Sequence, residues 1–209
     1  GDYISTGKVD SHDYLKYILE FTKGENRAKK TLSHLVSIIN KNSILLKSLS
    51  KQLKGNFQNL SDNDRKAVMI CLFALTFPIA NEILIAFSVS FKVQDLISKR
   101  VILEKMGAMY GSNRSMHIGV DESIPFFLEC GILKRQKIGI YARGINLKIT
   151  NSFVTEMIIY ANIKLSASKS ILVDELSFKP WYSYFDISNL SSDNFNKHKK
   201  KKDSAVGMG

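Results

Sequence analysis

Apolar residues along this chain recur at helical spacing. Tyr14, Leu15, Ile18 and Leu19 share one face of a helix predicted from Ser11 to Gly24, and residues 1 to 9 ahead of it read as a loose leader. A second helix opens near Asn26 and carries Leu32, Leu35, Val36, Ile38 and Ile39. A third spans about Ser43 to Leu53, and Gly55 to Asn59 reads as a loop. At Ser61 to Asp64 the side-chain oxygen of Ser61 or Asp62 can cap a new helix, whose positive end the acids favour. The most apolar stretch follows, from Ala67 to Phe91. Its uncharged part, Ala67 to Ala80, has only fourteen residues. A bilayer span takes about twenty, and Pro78, Asn81 and Glu82 interrupt the run. Two core helices joined or kinked at Phe77-Pro78 are therefore expected rather than a membrane span.

The pattern changes near residue 92. Leu96, Ile97, Val101, Ile102 and Leu103 predict a helix from Val93 to Met106, with Lys99, Arg100 and Lys105 on it. Gly107 and Gly111 bracket a tight connection, and Ser112 is placed to cap the next helix. That helix opens with Asn113, Arg114, Ser115 and His117, which can donate to phosphates or base edges. Ile118, Val120, Ile124, Phe127 and Leu128 continue it to a glycine stop at Gly131. Pro125 allows a second reading, in which the helix ends near Glu122 and a new turn starts at Ser123. Ile132-Leu133 and Ile140-Tyr141 then read as two short strands around a basic hairpin tip of Lys134, Arg135, Gln136, Lys137 and Gly139, with Arg143 beyond. Gly144 to Ile149 can add another short strand. Helix, turn, helix and hairpin in this order suggest a winged helix-turn-helix.

Beyond it, a helix opens at Asn151 with Phe153, Val154, Met157, Ile158 and Ile159, and a short one is expected over Ser168 to Leu176. Phe178, Trp181, Tyr182, Tyr184 and Phe185 form an aromatic cluster that serves either core packing or a partner surface. From Ser188 the chain turns polar, ending in a basic run from Lys197 to Lys202 that reads as a disordered tail. The whole is expected to be mainly α: an N-terminal helical bundle over 1–91, the winged helix-turn-helix over 92–149, a C-terminal helical arm over 150–190 and the basic tail over 191–209.

Charge sharpens this picture. The net charge of the 209 residues is +11, and residues 92 to 149 hold ten basic and five acidic residues. Neutralising phosphates releases counterions, so such a surface is predisposed to polyanions. Arg27, Lys29 and Lys30, in the first turn of the second helix, are either a solvated face or further phosphate contacts. Cys71 and Cys130 sit in apolar surroundings without metal-ligand spacing, which suits buried free thiols in a reducing, cytoplasmic setting. The first residues do not form a signal peptide. The four histidines are scattered, and neither a P-loop nor a dinucleotide fingerprint is present, so no enzyme activity, cofactor or metal is expected.

Asn26-Arg27-Ala28-Lys29-Lys30, the apolar helices from Ala67 to Phe91, and Tyr110-Gly111-Ser112-Asn113-Arg114-Ser115 leading to Leu128-Glu129-Cys130-Gly131-Ile132-Leu133 resemble the BrxA family over residues 11 to 145. Members of that family are small DNA-binding proteins of the BREX bacteriophage-defence system. The resemblance implies a non-catalytic protein that binds double-stranded DNA and works beside other proteins of a defence complex. The residues expected to contact DNA are Ser112, Asn113, Arg114, Ser115, His117, Lys134, Arg135, Lys137 and Arg143, with Arg27, Lys29 and Lys30 flanking. Two other readings stay open: a protein-interaction subunit using the 178 to 185 aromatics, and an RNA-binding helical protein.

Overall fold

Asp62–Thr76 forms helix α5, which is apolar on nearly every side: Ala67, Val68, Ile70, Cys71, Leu72 and Ala74 are all buried. A helix with no polar face must be surrounded by its own protein, and the rest of the fold supplies the cover. The computed structural model describes residues 2–7, 10–111, 113–168, 176 and 178–187. Ahead of α5 lie α1 (Asp2–Thr6), α2 (Ser11–Phe21), α3 (Glu25–Lys41) and α4 (Ser43–Gln52). After it come α6 (Pro78–Ser90), β1 (Leu96–Ser98), α7 (Lys99–Tyr110), α8 (Arg114–Glu129), β2 (Leu133–Lys137), β3 (Ile140–Arg143), β4 (Leu147–Lys148), α9 (Ser152–Leu165) and β5 (Phe185–Asp186). The protein is thus mainly helical with a small sheet component, and its buried side chains from α1 to β5 form a continuous core.

The start of α5 is fixed by polar bonds. Ser61 caps it, accepting from the Asp64 backbone N–H at 3.1 Å. The buried Asp64 carboxylate accepts from the Ser61 and Thr150 hydroxyls, each at 2.6 Å, and from the Thr150 and Asn151 backbone N–H groups at 3.0 and 3.3 Å. Asn151 is itself the cap of α9, accepting from Phe153 and Val154 N–H. One carboxylate therefore joins the first turns of the two helices that pack most extensively. Burial by itself pushes the Asp64 carboxyl up, but the bonds from Ser61, Thr150 and Asn151 outweigh it and hold the group below its ordinary value.

The α5–α6 break falls where the sequence places it. Pro78 occupies the first turn of α6, where a missing N–H costs nothing, and Phe77 before it is pushed out of the helical region. The chain axis turns by 119° there. Among the described residues no single helix is long and apolar enough to cross a membrane. Asn42, buried at the α3–α4 corner, donates to the Ile38 carbonyl and to Thr76 Oγ1, both at 2.8 Å, tying that corner to the far end of α5.

Several expectations are corrected. The supposed leader contains α1, whose Ile4 is buried and whose Ile4 carbonyl accepts from Ser50 Oγ at 2.6 Å. The helix expected from Val93 begins at Lys99. Leu96–Ser98 is strand, because Ile97 pairs with Tyr141 and is wholly buried, while Ser98 caps α7. Gly107 lies inside α7. The C-terminal portion is core rather than an appended arm: Trp181 Nε1 donates to the Ile158 carbonyl at 3.1 Å, and the Tyr184 hydroxyl donates to the Leu84 carbonyl at 2.8 Å. Trp181, Tyr182, Tyr184 and Phe185 are buried and β5 adds in parallel to β4, so these four rings are core; Phe178 alone of the cluster is exposed, at 77%. The predicted helix at Ser168 to Leu176 and the tail at 191–209 lie largely or wholly outside the described residues. Both cysteines are free and buried; burial pushes the Cys130 thiol up to about 12, and Cys71 also rises.

Asp64→Asn keeps the side chain's shape but faces two backbone donors with a partly wrong group. It should cost about 1.5–3 kcal/mol in urea denaturation at neutral pH. The lowered carboxyl contributes stability that is complete above the unfolded-state value of about 4 and is lost as pH falls through the lower folded value. The stability curve of Asp64→Asn should therefore be flatter than that of the wild type in that acid range. Trp181, the only tryptophan, should emit at short wavelength and resist iodide quenching until the protein unfolds.

Candidate nucleic-acid interface

Three strands pair in the order β1-β3-β2, all antiparallel, with α7 and α8 inserted between the first and second strands of the chain. Ile97, Leu133 and Tyr141 anchor this sheet in the core, and the Tyr141 ring meets Phe87 of α6 edge-on at 5.9 Å. The hairpin leaves the protein body past Leu133: Lys134, Arg135, Gln136 and Lys137 are all exposed rather than alternating in and out. A bulge between Arg135 and Lys137 adds a twist, and Ile138 at the tip is 96% exposed. At the hairpin's base, a Cβ on Gly144 would lie 2.0 Å from the Gly131 carbonyl oxygen, so only glycine lets the two backbones pass. The Gly139 carbonyl accepts from Lys99 N–H at 2.7 Å, fixing the tip to the start of α7.

Helix α8 runs unbroken through Pro125, which settles the choice between the two readings of this helix in favour of the longer one. Phe126 and Phe127 dock it on α5, with the Phe73 and Phe126 rings 4.3 Å apart, and Pro125 is exposed. The cap is Asn113, not Ser112: Asn113 Oδ1 accepts from Met116 N–H at 2.9 Å and its amide donates to the Tyr110 carbonyl at 3.2 Å. Both ends of that side chain are therefore occupied. Ser112 lies outside the described residues.

Of the remaining expected contacts, the structure brings some together and diverts others. Arg114, Ser115 and His117 are exposed at the start of α8, and Arg114 has no ion-pair partner among the described residues. Lys134, Arg135 and Lys137 are likewise exposed and unpaired, though they lie on β2 rather than at the tip, which is Ile138-Gly139. Arg143 is diverted: its guanidinium donates to the Ser183 carbonyl and lies 5.8 Å from the Tyr184 ring centre, pinning the C-terminal segment. Lys29 pairs with Glu25 at 2.6 Å, and Lys30 pairs with Glu122 of α8, beside His34 at 3.8 Å from the same carboxylate. Arg27 remains exposed without an ion pair among the described residues.

The acids of this region are mostly engaged as well. Asp121 pairs with Lys99 across α7 and α8, Glu122 with Lys30, and Glu104 with Arg100 at 2.8 Å. Lys105, placed on this helix from sequence but not among the expected DNA contacts, is left exposed and unpaired among the described residues on α7. The i,i+4 spacing of Arg100 and Glu104 is the sequence signal that separates these two cations. Among the described residues no group of three or more His, Cys, Asp or Glu is placed to hold a metal ion. Compared with known proteins, the chain matches no family model, no curated protein and no solved structure.

Proposed function

We propose that this protein binds double-stranded DNA as a winged helix-turn-helix module, without catalysing a reaction. The observation that carries the reading is the split of charge around α8 and the hairpin. Arg114, Lys134, Arg135 and Lys137 stand exposed and unpaired among the described residues, while the neighbouring acids Asp121 and Glu122 are held in ion pairs. The strand order β1-β3-β2 with two helices between β1 and β2 supports the same reading. In such modules the N-terminal end of the second helix contacts base edges in the major groove, and cations on the wing hold the phosphate backbone. Arg114 is the residue assigned to a base edge; Ser115 and His117 are assigned to phosphates, and Lys134, Arg135 and Lys137 to the backbone or minor groove. On the resemblance over residues 11 to 145, we place this activity in the bacterial cytoplasm, within a BREX-type phage-defence complex.

Fluorescence anisotropy of a labelled random-sequence duplex, titrated at several salt concentrations, tests the reading. Binding should weaken steeply with salt. Changing Arg135 and Lys137 together to alanine should remove two phosphate contacts and lower the slope of log affinity against log salt by about 1.8. Arg114→Ala should cost about 1–3 kcal/mol on a duplex where it contacts a base. No binding at low salt would overturn the proposal. Preference for a single-stranded RNA competitor over the duplex would replace it with an RNA-binding function.

A further inference from the structure

The wing hairpin ends on an isoleucine that the fold does not use. Ile138 and Gly139 form the two-residue turn between Lys137 and Ile140, which pair across it. Gly139 takes the left-handed conformation, φ 72°, that closes such a turn. Turns favour Gly, Pro, Asn, Asp and Ser, so nothing local calls for an isoleucine here. The Ile138 side chain is more exposed than any other large apolar one among the described residues. Three cations stand within four residues of it: Lys134, Arg135 and Lys137, exposed and without ion pairs among the described residues. Successive strand residues point to opposite faces, so Lys134 and Arg135 flank the ribbon on both sides. The tip is held in place. Lys99 donates its backbone N–H to the Gly139 carbonyl at 2.7 Å and pairs its ammonium with Asp121 of α8. One residue thus sets the distance between the turn and the helix that carries Arg114.

We propose that Ile138 is a wedge that enters the minor groove of duplex DNA and unstacks one base step, kinking the duplex there. This rests on the DNA-binding reading and adds deformation of the duplex to it. Charge and shape together select the occupant. Whatever covers Ile138 must offer an apolar slot one side chain wide, with negative charge on both sides of it. The minor groove does so: it is about 6 Å wide, with phosphates along both walls and stacked bases as its floor. An apolar protein surface would instead leave three cations desolvated without partners. In the groove, Lys134, Arg135 and Lys137 neutralise phosphates beside the kink, and the isoleucine takes the place of a neighbouring base against the opened stack. Because Lys99 fixes the turn to α8, the kink falls at a constant spacing from the base edge assigned to Arg114. Sequence preference at that step then follows the ease of unstacking, greatest at pyrimidine–purine steps, and not hydrogen bonds to bases.

Fluorescence anisotropy of the full chain on two labelled duplexes tests this. One is fully paired, and the other differs only by a mismatch near its centre, where the stack is already weakened. The wild type should bind the mismatched duplex several-fold more tightly. Ile138→Ser should abolish that preference with an unchanged far-ultraviolet circular dichroism spectrum, whereas Ile138→Leu should keep it. Arg135→Ala removes a phosphate contact, so it should weaken binding to both duplexes alike and leave the preference in place. Wild-type binding without preference for the mismatch would overturn the wedge and leave the DNA-binding reading standing. So would an Ile138→Ser variant that keeps the preference, or an Ile138→Leu variant that loses it. Absence of binding to either duplex would overturn both.

Discussion

The fold depends on where α5 is held, because its surroundings cannot hold it by themselves. Apolar burial is non-directional: a helix whose apolar residues are buried on most sides gains little by one rotation or axial position over another. Directional bonds remove that freedom. At one end the Asp64 carboxylate gathers the Thr150 and Asn151 N–H groups and two hydroxyls, without a cation beside it. At the other, Thr76 meets Asn42. These two pins set the start of α9 and the α3–α4 corner against a common reference, and α8 then docks through Phe73, Phe126 and Phe127.

Features written into local chemistry were legible in the sequence. Ser61 as a helix cap, the break at Phe77-Pro78 and the stop at Gly131 follow from side-chain oxygens, a missing N–H and a positive φ, each a property of one or two residues. Features set by distant partners were not. Leu96-Ile97 has helical spacing, and only the arrival of Tyr141 and Ala142 makes it a strand. Pro125 reads as a breaker because it lacks an N–H and its ring crowds the preceding turn; the packing of Phe126 and Phe127 on Phe73, distant in sequence, holds α8 continuous through it. Sequence left the aromatic segment near Trp181 open to two readings; carbonyls of α9 and α6 accept from Trp181 and Tyr184 and draw those two rings into the core.

The site shows the same division. Counting cations in sequence treats each lysine and arginine as available. In three dimensions Lys30, Lys99 and Arg143 are occupied by Glu122, Asp121 and Ser183, from other elements, whereas the i,i+4 pairs of Arg100 with Glu104 and Lys29 with Glu25 are visible in one dimension. What remains is a smaller, more concentrated set on β2 and at the head of α8. Lys30 and His34 also connect the N-terminal helices directly to α8, a link that no spacing rule announces.

The position of β2 has a consequence of another kind. In the order β1-β3-β2 it is an edge strand, with a row of backbone donors and acceptors open to pairing with another chain. Lys134, Arg135 and Lys137 stand along it, and the bulge before Lys137 bends it out of line. Side chains suited to meeting a polyanion thus also repel a second sheet. Without those charges the edge is an open ladder beside a bare Ile138, 96% exposed. On the proposed DNA-binding reading, protection of the edge and contact with phosphate fall to the same three residues.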